Sequence, residues 1–121
     1  MLAILVLFMT SACEKILPDG PNEYRAEKKY RIDNSLSFTI TTVVDYRCPE
    51  DVICIWAGDV EMNFRFTHNL TARDTLIYLW SGRNNPFTLY DYTFTINDVT
   101  PYRRIDQNPD IEDYVINMTI D

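Results

Sequence analysis

Val60-Glu61-Met62-Asn63-Phe64-Arg65-Phe66-Thr67 alternates without a break, with Val60, Met62, Phe64 and Phe66 on one side and Glu61, Asn63, Arg65 and Thr67 on the other. Successive side chains of a strand point to opposite faces, so this period of two predicts a strand with one dry and one wet face. A helix would need apolar residues three and four apart, and no stretch sustains that spacing.

The same pattern recurs on both sides. Leu36, Phe38, Ile40 and Val44 oppose Ser37, Thr39, Thr41 and Asp45; Tyr92, Phe94 and Ile96 oppose Thr93, Thr95 and Asn97. Near the end, Tyr114, Ile116, Met118 and Ile120 oppose Val115, Asn117, Thr119 and Asp121. Residues 73–80 are more evenly apolar, which predicts a strand buried on both faces or one whose outer face meets another surface. Residues 28–33 form a short opening strand. Asp33-Asn34-Ser35, His68-Asn69, residues 81–86 and Asn108-Pro109-Asp110 supply the turns. Six or seven short strands at this spacing predict an all-β domain, a small antiparallel β-sandwich of Ig-like or related Greek-key kind, with a small β-barrel as the alternative.

Composition agrees. The 121 residues hold eight Tyr, six Phe and two Trp but only three Gly, a balance that suits cross-strand aromatic pairs. One domain of this length can bury a core unaided. Eleven Lys and Arg face 18 acids, for a net charge of −7. Lys28 and Lys29, with Arg25 and Arg31, are interleaved with Glu23, Glu27 and Asp33, so no basic stripe exists to track a phosphate backbone. No nucleic-acid partner is expected.

The chain opens on a continuous apolar run, residues 1–9, too short to span a bilayer as a helix but of the length of a signal-peptide core. Thr10-Ser11-Ala12-Cys13 follows directly. This resembles the lipobox of bacterial lipoproteins. The resemblance implies a signal peptide over residues 1–12 and a lipidated N-terminal Cys13, hence a protein held by lipid in the bacterial cell envelope, at the periplasmic face or cell surface. Several acyl chains hold durably where one does not. No positive charge precedes Lys15, so the start of the leader is expected upstream of Met1. Residues 13–26, with Pro18, Gly20 and Pro21, form a tether, and residues 27–121 the β domain.

Three cysteines leave one over in an exported protein. With Cys13 lipidated, Cys48 and Cys54 are expected to form a disulfide. The five residues between them must then fold back, and Pro49-Glu50-Asp51 has the chemistry of a first helical turn. A redox pair would have two intervening residues and a zinc site more ligands.

The stretch Arg47-Cys48-Pro49, then Cys54-Ile55-Trp56-Ala57-Gly58, is similar to a signature of bacterial secreted proteins and lipoproteins. The likeness extends to Asp98-Val99-Thr100-Pro101-Tyr102 and the closing strand near Tyr114. It implies a compact exported β domain and no particular activity. Within it Trp56 is expected to cover the disulfide as part of the core, with an exposed anchor on a binding loop as the alternative, and Gly58 to release a bend before the next strand.

Function is less legible. Asp106, Asn108, Asp110 and Glu112 place oxygens at alternate positions, as a calcium loop does, although Pro109 intrudes and Ile111 replaces the sharp-turn glycine. A solvated acidic loop is the plainer reading. His68 is the single histidine and lies in a turn without an evident nucleophile; Glu50 with Asp51, and Asp59 with Glu61, are the acid pairs. No catalytic residue and no cofactor are assigned. The expectation is a non-catalytic binding or accessory module that presents an aromatic surface of Trp56, Trp80 and Tyr90 to an envelope protein or glycan. An envelope-directed hydrolase or glycan-processing enzyme is the alternative.

Overall fold

A computed structural model describes residues 22–80 and 82–121. The expected signal peptide, the expected lipidation site Cys13 and most of the stretch assigned to a tether lie outside the described residues. Eight strands are present: β1 (Glu23–Arg25), β2 (Lys29–Arg31), β3 (Leu36–Asp45), β4 (Val60–His68), β5 (Thr71–Tyr78), β6 (Phe87–Leu89), β7 (Tyr92–Thr100) and β8 (Val115–Ile120), with a 3-10 turn at Ile111–Asp113. They form two antiparallel four-stranded sheets, β2-β3-β4-β5 and β1-β8-β7-β6, which stay open rather than closing into a barrel. The second has Greek-key order, with three hairpin-linked strands and β1 laid beside the last.

The inward faces meet in one core. Phe38, Phe64 and Phe66 of one sheet pack on Phe94 of the other, with Ile40, Met62, Ile116 and Met118 filling the space between, all effectively inaccessible to water. Tyr24 and Tyr30 meet edge to face at 5.0 Å at one border of this cluster. Such offset and tilted ring pairs add to the burial of their large apolar areas.

Four expectations are corrected. The strands number eight because β1 and β6 are three residues each, too short to leave an alternation. β1 lies inside the stretch assigned to the tether: Glu23 pairs with Asn117 and Arg25 with Val115, so the domain begins before residue 27. Val44 faces solvent, because a bulge between Ile40 and Thr42 turns the phase and sends Val43 toward the core instead. Finally, residues 73–80 are not buried on both faces. β5 is the outer strand of its sheet, so Ile77 is buried while Leu76 and Trp80 are about half exposed.

Candidate binding face

One end of the sandwich gathers the signature residues. β3 leaves the sheet at Asp45, whose carboxylate grips Arg47 two residues on: Arg47 Nε donates to Oδ1 and Nη2 to Oδ2, both at 2.9 Å. Arg47 also donates to the Val99 carbonyl at 2.7 Å and the Pro101 carbonyl at 3.1 Å, and Tyr114 Oη donates to Asp45 at 3.1 Å. Both side chains are under 5% exposed, at 4% and 3%. Burial pushes the Asp45 carboxyl up, but the Arg47 hydrogen bonds and charge outweigh it and hold it below its ordinary range. Burial, then the Asp45 charge, pushes the Tyr114 hydroxyl up to about 12. Arg47 thus ties the end of β3 to the end of β7, in the opposite sheet.

Beyond this pair the two legs of the signature loop run together, Tyr46 N–H bonding the Asp59 carbonyl and Cys48 N–H the Ala57 carbonyl, each at 3.0 Å. Cys48 and Cys54 are disulfide-bonded with their Cα atoms 5.8 Å apart. Pro49 opens a single turn, Val52 N–H to the Pro49 carbonyl, in place of the expected helical start. Gly58 adopts φ +69°, and a Cβ there would collide with the Tyr46 carbonyl oxygen, so this bend requires glycine.

A second loop, after β7, is laced to the first. Glu50 N–H donates to the Arg103 carbonyl at 3.0 Å, Ile105 N–H to Asp51 Oδ1 at 3.0 Å, and Arg104 to Glu50 at 3.1 Å. Together they hold apolar side chains in water: Ile53 and Ile55 are fully exposed, Trp56 is 68% exposed and Ile105 66%. Trp56 is therefore not part of the core. The loop folds outward from the sandwich end, and the core is already filled by phenylalanines from both sheets.

Trp80 belongs to the same end. Asp59, 1% exposed, accepts from its own neighbour Val60 N–H at 2.7 Å and from Trp80 N–H at 3.1 Å, while Arg83 donates to its other oxygen at 3.1 Å. Trp80, Tyr102, Asn97 and Asp98 line a pocket of about 290 Å³ against Arg47, Cys48, Leu79 and Ala57. Tyr90 is elsewhere. It stacks on His68 at 4.2 Å, at the far end of β4, and a nine-residue strand separates the two ends by about 27 Å. Tyr90 therefore does not share a surface with Trp80, while Trp56, Ile53, Ile55 and Ile105 are exposed on the two laced loops.

The other acids are placed in supporting positions. Glu50 and Asp51 both face Arg104, and Asp59 accepts from the Val60 and Trp80 amides and from Arg83. Among the described residues no three His, Cys, Asp or Glu side chains gather as a metal set. Asp106, Asn108, Asp110 and Glu112 do not converge, because the segment enters the 3-10 turn, where Asp110 N–H donates to Asp113 at 3.0 Å.

Asn97, Asp98 and Tyr102 are absent from the sequence-based site. The signal that could have found them is the resemblance itself, since Asp98 and Tyr102 lie in its second segment. Comparison with protein-family models, curated proteins and solved structures returned no match for this chain.

Proposed function

We propose that this chain is a bacterial envelope lipoprotein, held by lipid at Cys13, whose β domain is a non-catalytic binding or accessory module. The observation that carries the binding role is the exposure of Ile53, Ile55, Trp56 and Ile105 on a disulfide-closed loop that a second loop braces. Scattered apolar residues on a surface need no explanation, but four on adjoining loop tips cost solubility unless a partner covers them. Bracing them in advance lowers the ordering cost of association. Tryptophan is among the residues enriched at interface hot spots. The commitment of Glu50, Asp51 and Asp59 to ion pairs and backbone amides favours binding over acid–base chemistry.

Two measurements test this. Mass spectrometry of protein from its native host is expected to show a diacylglyceryl group on Cys13; an unmodified thiol there ends the anchoring half. Cross-linking in intact envelopes from a photoreactive residue at position 55 is expected to give a discrete adduct that Trp56→Ala weakens at least about ten-fold. An adduct pattern indifferent to Trp56→Ala removes this face as the binding surface.

A further inference from the structure

Beside the exposed loops lies the 290 Å³ pocket lined by Trp80, Tyr102, Asn97 and Asp98. The geometry points to a site for a single pyranose ring of a glycan, an inference that rests on the binding-module reading above and names a ligand class for it. Its volume sits at the bottom of the range of about 300–1,000 Å³ for small-molecule sites, which suits one ring and not an extended chain.

Both aromatic side chains are 48% exposed, so each offers ring surface to the pocket. Each is also fixed. Tyr102 is held from one face by the Arg47 guanidinium, 4.4 Å from the ring centroid, and by its hydroxyl, which donates to Asp98 Oδ1 at 3.3 Å. Trp80 is held through its backbone amide on Asp59. The two polar residues are oriented as acceptors. Asn97 Nδ2 donates to Thr119 Oγ1 at 2.9 Å and Asn117 Oδ1 at 3.2 Å, which leaves its carbonyl oxygen without a partner among the described residues. Asp98 Oδ1 takes the Val99 amide at 2.9 Å and the Tyr102 hydroxyl, leaving Oδ2 likewise.

Ring faces beside solvent-facing acceptors suit a ligand with an apolar face and a belt of hydroxyl donors, which is a sugar ring. A ligand ammonium is the rival donor. The cation position on one face of Tyr102 is already taken by Arg47, which leaves a ligand ammonium only the Trp80 ring. An anion would meet the Asp98 carboxylate. A neutral polyol meets neither obstacle.

The test is an amide NMR titration of the full chain, in a detergent without a sugar headgroup, with methyl pyranosides of glucose, galactose, mannose and N-acetylglucosamine, and with choline. At least one pyranoside is expected to give saturable shifts at Asn97, Asp98 and the Trp80 indole with an affinity of roughly millimolar order. Asn97→Ala and Trp80→Ala, both at exposed positions, should each weaken it about ten-fold or more while Trp56→Ala leaves it unchanged. Competition by a soluble disaccharide or by a micelle-dispersed glycosyl diacylglycerol of the same sugar then tells a free glycan from a lipid-borne one. No saturable shift with any pyranoside up to about 50 mM, saturation by choline instead, or binding that survives both pocket substitutions overturns the proposal. Those results leave the Trp56-dependent cross-link untouched, so the two readings fail separately.

Discussion

Asp33 Oδ1 accepts from the Ser35 and Leu36 amides at 2.7 and 2.8 Å, while its Oδ2 accepts from the Tyr92 hydroxyl at 2.6 Å. The turn after β2 is thereby tied to β7 in the other sheet. The Tyr92 hydroxyl, then the Ser35 amide, hold the Asp33 carboxyl far below the usual carboxylate range. A carboxyl lowered on folding stabilises fully above its unfolded value of about 3.9, and that contribution is lost as pH falls toward the folded value. Tyr92→Phe is therefore expected to lower Tm at neutral pH and flatten the acid limb below about pH 4. Melting curves across that range check it, and parallel limbs for both proteins would count against it. At the other end, Arg47→Met leaves the Asp45 carboxylate buried without its cation. The expected cost is about 3–5 kcal/mol in urea unfolding, with part recovered when Asp45→Asn is added. Neither interaction is legible in the sequence, because Asp33 and Arg47 sit in turn-like stretches where a charged residue is ordinarily solvated.

At the scale of elements, β4 and β8 were legible throughout and β3 only as far as Ile40. Their alternation reports which face is dry, and an unpaired residue such as Thr41 reverses that report without altering composition. β1 and β6 left no trace, since three residues cannot establish a period. The disulfide followed from cysteine arithmetic, whereas the outward turn of Trp56 did not. Whether an aromatic beside a disulfide is covered depends on what else fills the core, and Phe38, Phe64, Phe66 and Phe94 do so from positions far apart in the chain. The closed loop is small, so removing the bond with Cys48→Ala and Cys54→Ala should cost only about 2 kcal/mol. The sandwich should persist with its core signals unchanged while proteolytic cleavage moves to residues 49–56. Loss of the whole fold on reduction would contradict this division between frame and loop.

For the whole molecule, the two sheets are joined through side chains as well as through the core. Asn85, 5% exposed, donates from Nδ2 to the Leu79 carbonyl at 2.7 Å and the Ile96 carbonyl at 3.0 Å, and its Oδ1 accepts the Ile96 amide at 3.0 Å. Its side-chain amide pairs with β7 at Ile96, just beyond the Phe87–Phe94 pair where β6 begins. Asn85→Ala removes three hydrogen bonds, for an expected loss of about 3 kcal/mol or somewhat less, read from the urea midpoint. The second consequence concerns company rather than stability. A bare strand margin is a template on which another chain can grow, and proteins suppress such growth by blocking it. Here Asn85 and Arg47 occupy the margin of β7, and Asn84 claims the Leu76 carbonyl on the margin of β5. With those backbone groups already engaged by its own side chains, each margin offers an approaching copy fewer places to pair.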